Sequence, residues 1–97
     1  MISVDCLKVG DKTCFGVRVE LPDSPPLVLI VTEKGFIMCG FLNVEVAEGF
    51  GVAAAVVGGV KNFDDVLSGQ IKAVTSKAKS LGIELGMSGL EALKRML

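Results

Sequence analysis

The sequence predicts a single α+β domain: a two-layer, mostly antiparallel sheet of about five strands with three or four helices packed on one face. Three observations lead there. Short β-prone segments separated by turn residues occupy the chain up to Leu42; helix-capping residues then recur at Asn43, Asn62 and Ser88; and a small, wholly apolar run, Val52–Val57, lies between the first two caps. Ninety-seven residues are enough for one hydrophobic core and too few for two, so one domain spans residues 1–97.

The first two strands are expected at Ile2–Val9 and Thr13–Leu21, closed into a hairpin by Gly10-Asp11-Lys12. In the second, Phe15, Val17, Val19 and Leu21 alternate with Gly16, Arg18 and Glu20, the period of two that separates a buried sheet face from a wet or partner-facing one. Cys6 and Cys14 are read as packing residues of this hairpin. Pro22-Asp23-Ser24-Pro25-Pro26 breaks the ladder, because proline lacks the amide donor and restricts the residue before it. Leu27–Thr32 and Phe36–Leu42 are the next two strands, turned through Glu33-Lys34-Gly35 with Gly35 supplying a positive φ. Their continuous apolar character places them at the centre of the sheet.

Asn43 caps a short helix running to about Phe50, with Glu45 in its first turn complementing the dipole and Gly49 or Gly51 ending it. Val52–Val57 is a buried strand of small residues, closed by Gly58-Gly59. Asn62 caps a second short helix that stops at Gly69. Ile71, Val74, Ala78 and Leu81 recur at helical spacing and predict an amphipathic helix ending at Gly82. Ile83-Glu84-Leu85 is an extended link. Ser88 and Glu91 have the spacing of a capping box, opening a last helix over Gly89–Met96 with Leu90, Leu93 and Leu97 as its apolar stripe.

Composition narrows the function. The chain is 51% hydrophobic with a mean hydropathy of +0.61, more apolar than so small a domain can hide, which points to a homo-oligomer. Its apolar runs are interrupted well short of the roughly 18–20 residues that cross a bilayer, and the Met1-Ile2-Ser3-Val4-Asp5 opening lacks signal-peptide character, so a cytoplasmic protein without membrane contact is expected. A net charge of −1 and a pI near 5.3 give no attraction to nucleic acid. Three cysteines without a C-x-x-C pair argue for reduced thiols rather than a disulfide framework or a zinc site. The absence of histidine removes Ser-His-Asp and Cys-His catalysis together with the commonest transition-metal ligand. No metal or cofactor is implied, and the composition leaves open whether the chain is an enzyme.

Four groups of residues bear on chemistry. Gly86-Met87-Ser88-Gly89-Leu90 superficially matches a nucleophile elbow, but its last position is Leu and no base exists, so Ser88 is a helix cap. Gly58-Gly59-Val60-Lys61 precedes a helix as a phosphate cradle would, yet it lacks P-loop spacing, and Asp64 and Asp65 would repel an anion. Cys39, beside Gly40, is a buried thiol or, with Lys61 nearby, a reactive one. Glu45, Glu48, Asp64 and Asp65 serve helix dipoles unless the fold gathers them. The candidate ligand-binding set is therefore Cys39, Asn43, Gly58, Gly59 and Lys61.

Three stretches, Gly35-Phe36-Ile37-Met38-Cys39-Gly40-Phe41-Leu42-Asn43, Ala53-Ala54-Ala55-Val56-Val57-Gly58-Gly59-Val60-Lys61-Asn62-Phe63-Asp64-Asp65 and Leu81-Gly82-Ile83-Glu84-Leu85-Gly86-Met87-Ser88-Gly89-Leu90-Glu91-Ala92-Leu93, resemble a YunC-like family of short bacterial and archaeal domains of unknown function. The resemblance implies a compact α+β fold and a prokaryotic cytoplasmic setting, and it implies no reaction. The expected role is a self-associating, non-catalytic domain that takes a small ligand or a protein partner. The alternative is a small enzyme or redox sensor using Cys39 or Lys61 in a pocket near Asn43 and Gly58-Gly59.

Overall fold

In the computed structural model, which describes residues 1–97 throughout, the pair Gly10-Asp11 alone closes the first hairpin. Strand β1 (Ile2–Val9) faces β2 (Lys12–Val19) with Val9 opposite Lys12, and Gly10 takes φ +62° at the first loop position, as a type II′ turn requires. Beyond the proline-rich loop, β3 (Leu27–Val31) and β4 (Gly35–Met38) pair antiparallel. The turn between them is held by Thr32, whose Oγ1 accepts from the Gly35 amide at 3.1 Å. Gly35 does not adopt the expected positive φ. It is needed instead because a Cβ there would strike the carbonyl of Ala53 on the neighbouring strand. The fourth strand is shorter than expected: the Cys39 amide still donates to Val28 O at 3.0 Å, and the chain then turns through Gly40.

Helix α1 (Val44–Phe50) ends at Gly51, φ +71°, and β5 (Ala53–Val57) returns parallel to β4. Helix α2 (Phe63–Ser68) follows, then β6 (Ile71–Val74), α3 (Ser76–Ser80) and α4 (Gly89–Met96). The sheet has six strands in chain order, β1-β2-β3-β4-β5-β6, mostly antiparallel. The sixth corrects the expectation of one amphipathic helix from Ile71 to Leu81. Ile71–Val74 pairs with β5, and only Ser76–Ser80 is helical. Thr75 forces the change of structure: its Oγ1 donates to Val52 O at 2.7 Å, accepts from Ala54 N at 3.0 Å, and caps α3 by accepting from Ala78 N at 3.3 Å.

The register separates two faces. Ile30, Ile37, Cys39, Ala53, Ala55 and Val57 point to the side where Val66, Ala78, Leu93 and Met96 bring α2, α3 and α4 down onto the sheet, forming the main core. The expected α+β layering is therefore present, with three helices on one face. Helix α1 lies on the reverse face, where Ala47 packs on Met38 and Ala54. The stripe of α4 is Gly89, Ala92, Leu93 and Met96 rather than one containing Leu90, which is exposed.

In the first hairpin the faces are the opposite of what hydrophobic alternation implies. Cys14 and Gly16 are buried on the helix side, with the Phe63 ring over Gly16, whereas Phe15, Val17 and Val19 stand on the reverse face. Cys6, directly opposite Phe15, is exposed on that face and is not a packing residue.

Candidate functional site

The reverse face of the sheet is apolar and only partly covered. Phe15, Val31, Phe36 and Ala54 form one row across β2–β5; Ile2, Val4, Val17 and Leu29 extend the surface around it. Helix α1 covers the β4–β5 side through Val44 and Ala47, which leaves Val46 and Phe50, one turn apart, projecting over the open side. Between that helix and the bare strands runs a groove of about 560 Å³, floored by Leu29, Val31, Phe36 and Met38 and walled by Val46 and Phe50. Asn43 is its single polar lining residue. Exposure here is high for apolar side chains: Phe50 79%, Ile2 68%, Val4 63%, Val46 56% and Phe15 51%.

A second, smaller cleft of about 240 Å³ opens where the parallel strands β4 and β5 end, lined by Pro25, Pro26, Cys39, Gly40, Phe41, Gly59 and Val60. Clefts at the carboxyl ends of parallel strands are common ligand positions in α/β sheets. Two of the five candidate residues, Cys39 and Gly59, meet there. Cys39 is buried at 3% exposure, and its sulfur accepts from Val28 N at 3.4 Å. Gly59 adopts φ +70° with open space beside it.

The other three candidates lie elsewhere. Asn43 caps α1, accepting from Glu45 N at 2.8 Å, and reaches the groove on the reverse face. Lys61 is exposed outside the cleft; its amide donates to Asp65 Oδ2 at 3.0 Å, and its carbonyl accepts from Arg18 Nε at 2.9 Å. Gly58 packs under Lys72, whose Nζ lies 3.0 Å from where a Cβ would stand. Lys72 is therefore the cation beside the Gly58-Gly59 turn, in place of Lys61. Its alternation with Ile71 and Ala73 becomes informative only once β6 is recognised as a strand.

The acidic residues do not converge. Glu48 accepts from Ser76 N at 2.7 Å and Ser76 Oγ at 3.1 Å, tying α1 to the start of α3; Asp65 closes the first turn of α2, its amide donating to Asn62 Oδ1 at 2.8 Å. No three Cys, Asp or Glu side chains come together as a metal cluster would require. Ser88 is the cap of α4, its Oγ accepting from Glu91 N at 3.2 Å. Cys14 is buried and donates to Leu7 O at 3.6 Å; desolvation holds its pKa above the usual thiol value. The residues that sequence reasoning passed over are Phe41, Val46 and Phe50. For Val46 and Phe50 the signal was present in α1, where their spacing of four puts them on one side of the helix.

Residues 38–96 match the model of a family described as a domain of unknown function, DUF1805. Over its whole length the chain is 33% identical to an uncharacterized protein, YunC, from Bacillus subtilis (strain 168), of which it covers 99%. The crystal structure of a protein of unknown function, TA1206 from Thermoplasma acidophilum, superposes with a TM-score of 0.95 at 31% identity, covering all of this chain and 94% of that one. No helix in this chain is long and apolar enough to cross a membrane.

Proposed function

We propose, for a chain that belongs to the DUF1805 family of domains of unknown function, that its role is non-catalytic self-association through the uncovered apolar face of the sheet. The observation that carries this reading is the continuous run of exposed Ile2, Val4, Phe15, Val46 and Phe50 around an apolar groove, on a chain whose mean hydropathy is +0.61. Taking ~150–200 Å² for a fully exposed side chain of this size, these five residues present on the order of 550 Å², the larger part of the ~800 Å² per partner of a stable interface. Cytoplasmic residence fits the same reading, since three free thiols sit in one chain with none paired. Sedimentation equilibrium from about 1 to 100 μM tests it: a concentration-dependent oligomer is the expected result, and a strict monomer overturns it.

The cleft at the ends of β4 and β5 supports a second reading, a small-ligand or redox site at Cys39. Selective alkylation of Cys39 over Cys14 in the native protein would favour it. Inertness of both, with Cys6 alone reacting, would leave Cys39 as a packing residue.

A further inference from the structure

Strands β4 and β5 run parallel and end side by side, and the chain leaves them through Gly40 and through Gly58-Gly59. Four residues that line the cleft there, Gly40, Phe41, Gly59 and Val60, have backbone amides that donate to no carbonyl of the chain. The amide that follows them, at Lys61, is already taken by Asp65 Oδ2. Val60 is only 5% exposed, and buried amides are almost always paired. Two pairs of open donors, one at each strand end, call for an acceptor that the chain does not supply.

We propose that this cleft binds a small monocarboxylate, its oxygens accepting from these amides and its apolar remainder lying against Pro25, Pro26 and Phe41. The proposal rests on the small-ligand reading of the cleft and adds the ligand's chemistry. Charge sets the class. The lining holds no Asp, Glu, Lys or Arg, and Asp65, whose carboxylate would repel an anion, lies outside it and is turned onto the Lys61 amide. The cation beside the turn is Lys72: its Nζ lies 3.0 Å from the Cβ position of Gly58, and neither of the chain's two ion pairs, Met1–Glu20 and Arg18–Glu20, uses it. One ammonium on a flexible stem balances a single negative charge, which favours a carboxylate over a phosphate dianion.

Size and polarity limit the rest of the ligand. The cleft holds about 240 Å³, below the ~300–1,000 Å³ of pockets for drug-sized molecules, and its proline rings, Phe41 ring and Val60 side chain suit a short hydrocarbon or a single ring. Gly40 and Gly59 keep the approach to the backbone open, since a Cβ at either position would have no neighbour within 4 Å.

Benzoate and isobutyrate serve as probes, read from the backbone amide signals in two-dimensional proton–nitrogen NMR spectra. Each is expected to move the Gly40, Phe41, Gly59 and Val60 signals together and to saturate at millimolar concentration, whereas benzamide, which lacks the charge, leaves them in place. Lys72→Gln, at an exposed position, should raise the benzoate dissociation constant about fivefold. Lys61→Gln removes the same charge outside the cleft and should change it less than about twofold. Signals that stay in place with both carboxylates, or equal effects of the two lysine variants, overturn the proposal. Saturable binding of inorganic phosphate in preference to benzoate also overturns it. Selective alkylation of Cys39 in a protein that binds neither carboxylate removes the carboxylate and keeps the redox reading of the cleft; inertness of Cys39 together with unmoved signals removes both.

Discussion

At Gly89 the first turn of α4 meets the backbone of α2: a Cβ built there would collide with the Val66 carbonyl oxygen and lie 2.8 Å from its carbon. Gly49, also helical, has nothing within 4 Å of its Cβ position. Alanine is favoured over glycine in a helix by up to about 1 kcal/mol, so propensity alone would make both changes stabilising. Contact reverses one of them, since backbone cannot yield as a flexible side chain can. Gly89→Ala is expected to cost about 2 kcal/mol and Gly49→Ala to gain about 0.5–1 kcal/mol, read from urea midpoints at an unchanged m value. Cys14 adds a pH effect. Burial raises its folded pKa, so the folded form holds the proton after the unfolded thiol has released it. The resulting stability is complete below the unfolded pKa of about 8.5 and is lost as pH rises through the folded value. Wild-type chain should therefore lose more stability between pH 7 and pH 10 than Cys14→Val does. Equal losses would show that Cys14 does not carry the effect.

Among the elements, Thr75 joins three, ending β6, capping α3 and bonding to Ala54 of β5 and to Val52 just before it. It is the only buried polar residue, at 1% exposure. Thr75→Val keeps the shape but strands the Ala54 amide and the Val52 carbonyl, and should cost about 3 kcal/mol. Thr75→Ser keeps the hydroxyl and loses one methyl, for about 1 kcal/mol. Similar losses in the two variants would mean that volume, and not hydrogen bonding, is what Thr75 supplies. The same residue explains why β6 was illegible in the sequence. Ile71, Val74, Ala78 and Leu81 fall at helical spacing although the first two belong to a strand and Ala78 to the helix beyond it. Caps at Asn43, Asn62 and Ser88 were legible because each is satisfied within its own first turn. Which face α1 covers was not, since it depends on β5 returning parallel to β4, a long-range pairing. For that reason the candidate set divided: Cys39 and Gly59 share the cleft, whereas Asn43, on α1, went to the opposite side.

For the whole molecule, the reversal of faces in the first hairpin links fold and function. Phe15, Val17 and Val19 alternate as a core-facing strand does, yet the helices occupy the side of Cys14 and Gly16. A pattern that encodes burial, on a face that the chain does not itself cover, is what the proposed self-association would bury. On that proposal stability should depend on concentration, because dissociation would accompany unfolding. For an assembly of two chains, a tenfold rise in concentration would add about 1.4 kcal/mol per dimer, or about 0.7 kcal/mol per chain. At ~4–8 °C per kcal/mol for a domain of this size, the thermal midpoint of the wild-type chain should climb by about 3–5 °C per decade. Phe50→Lys, which places a charge on the exposed apolar face, should show a midpoint that moves less with concentration. The comparison separates association of the native state from aggregation of the unfolded state, which would lower the midpoint as concentration rises. A flat wild-type profile would mean that these side chains face water in the functioning protein, and that their alternation serves neither core nor partner.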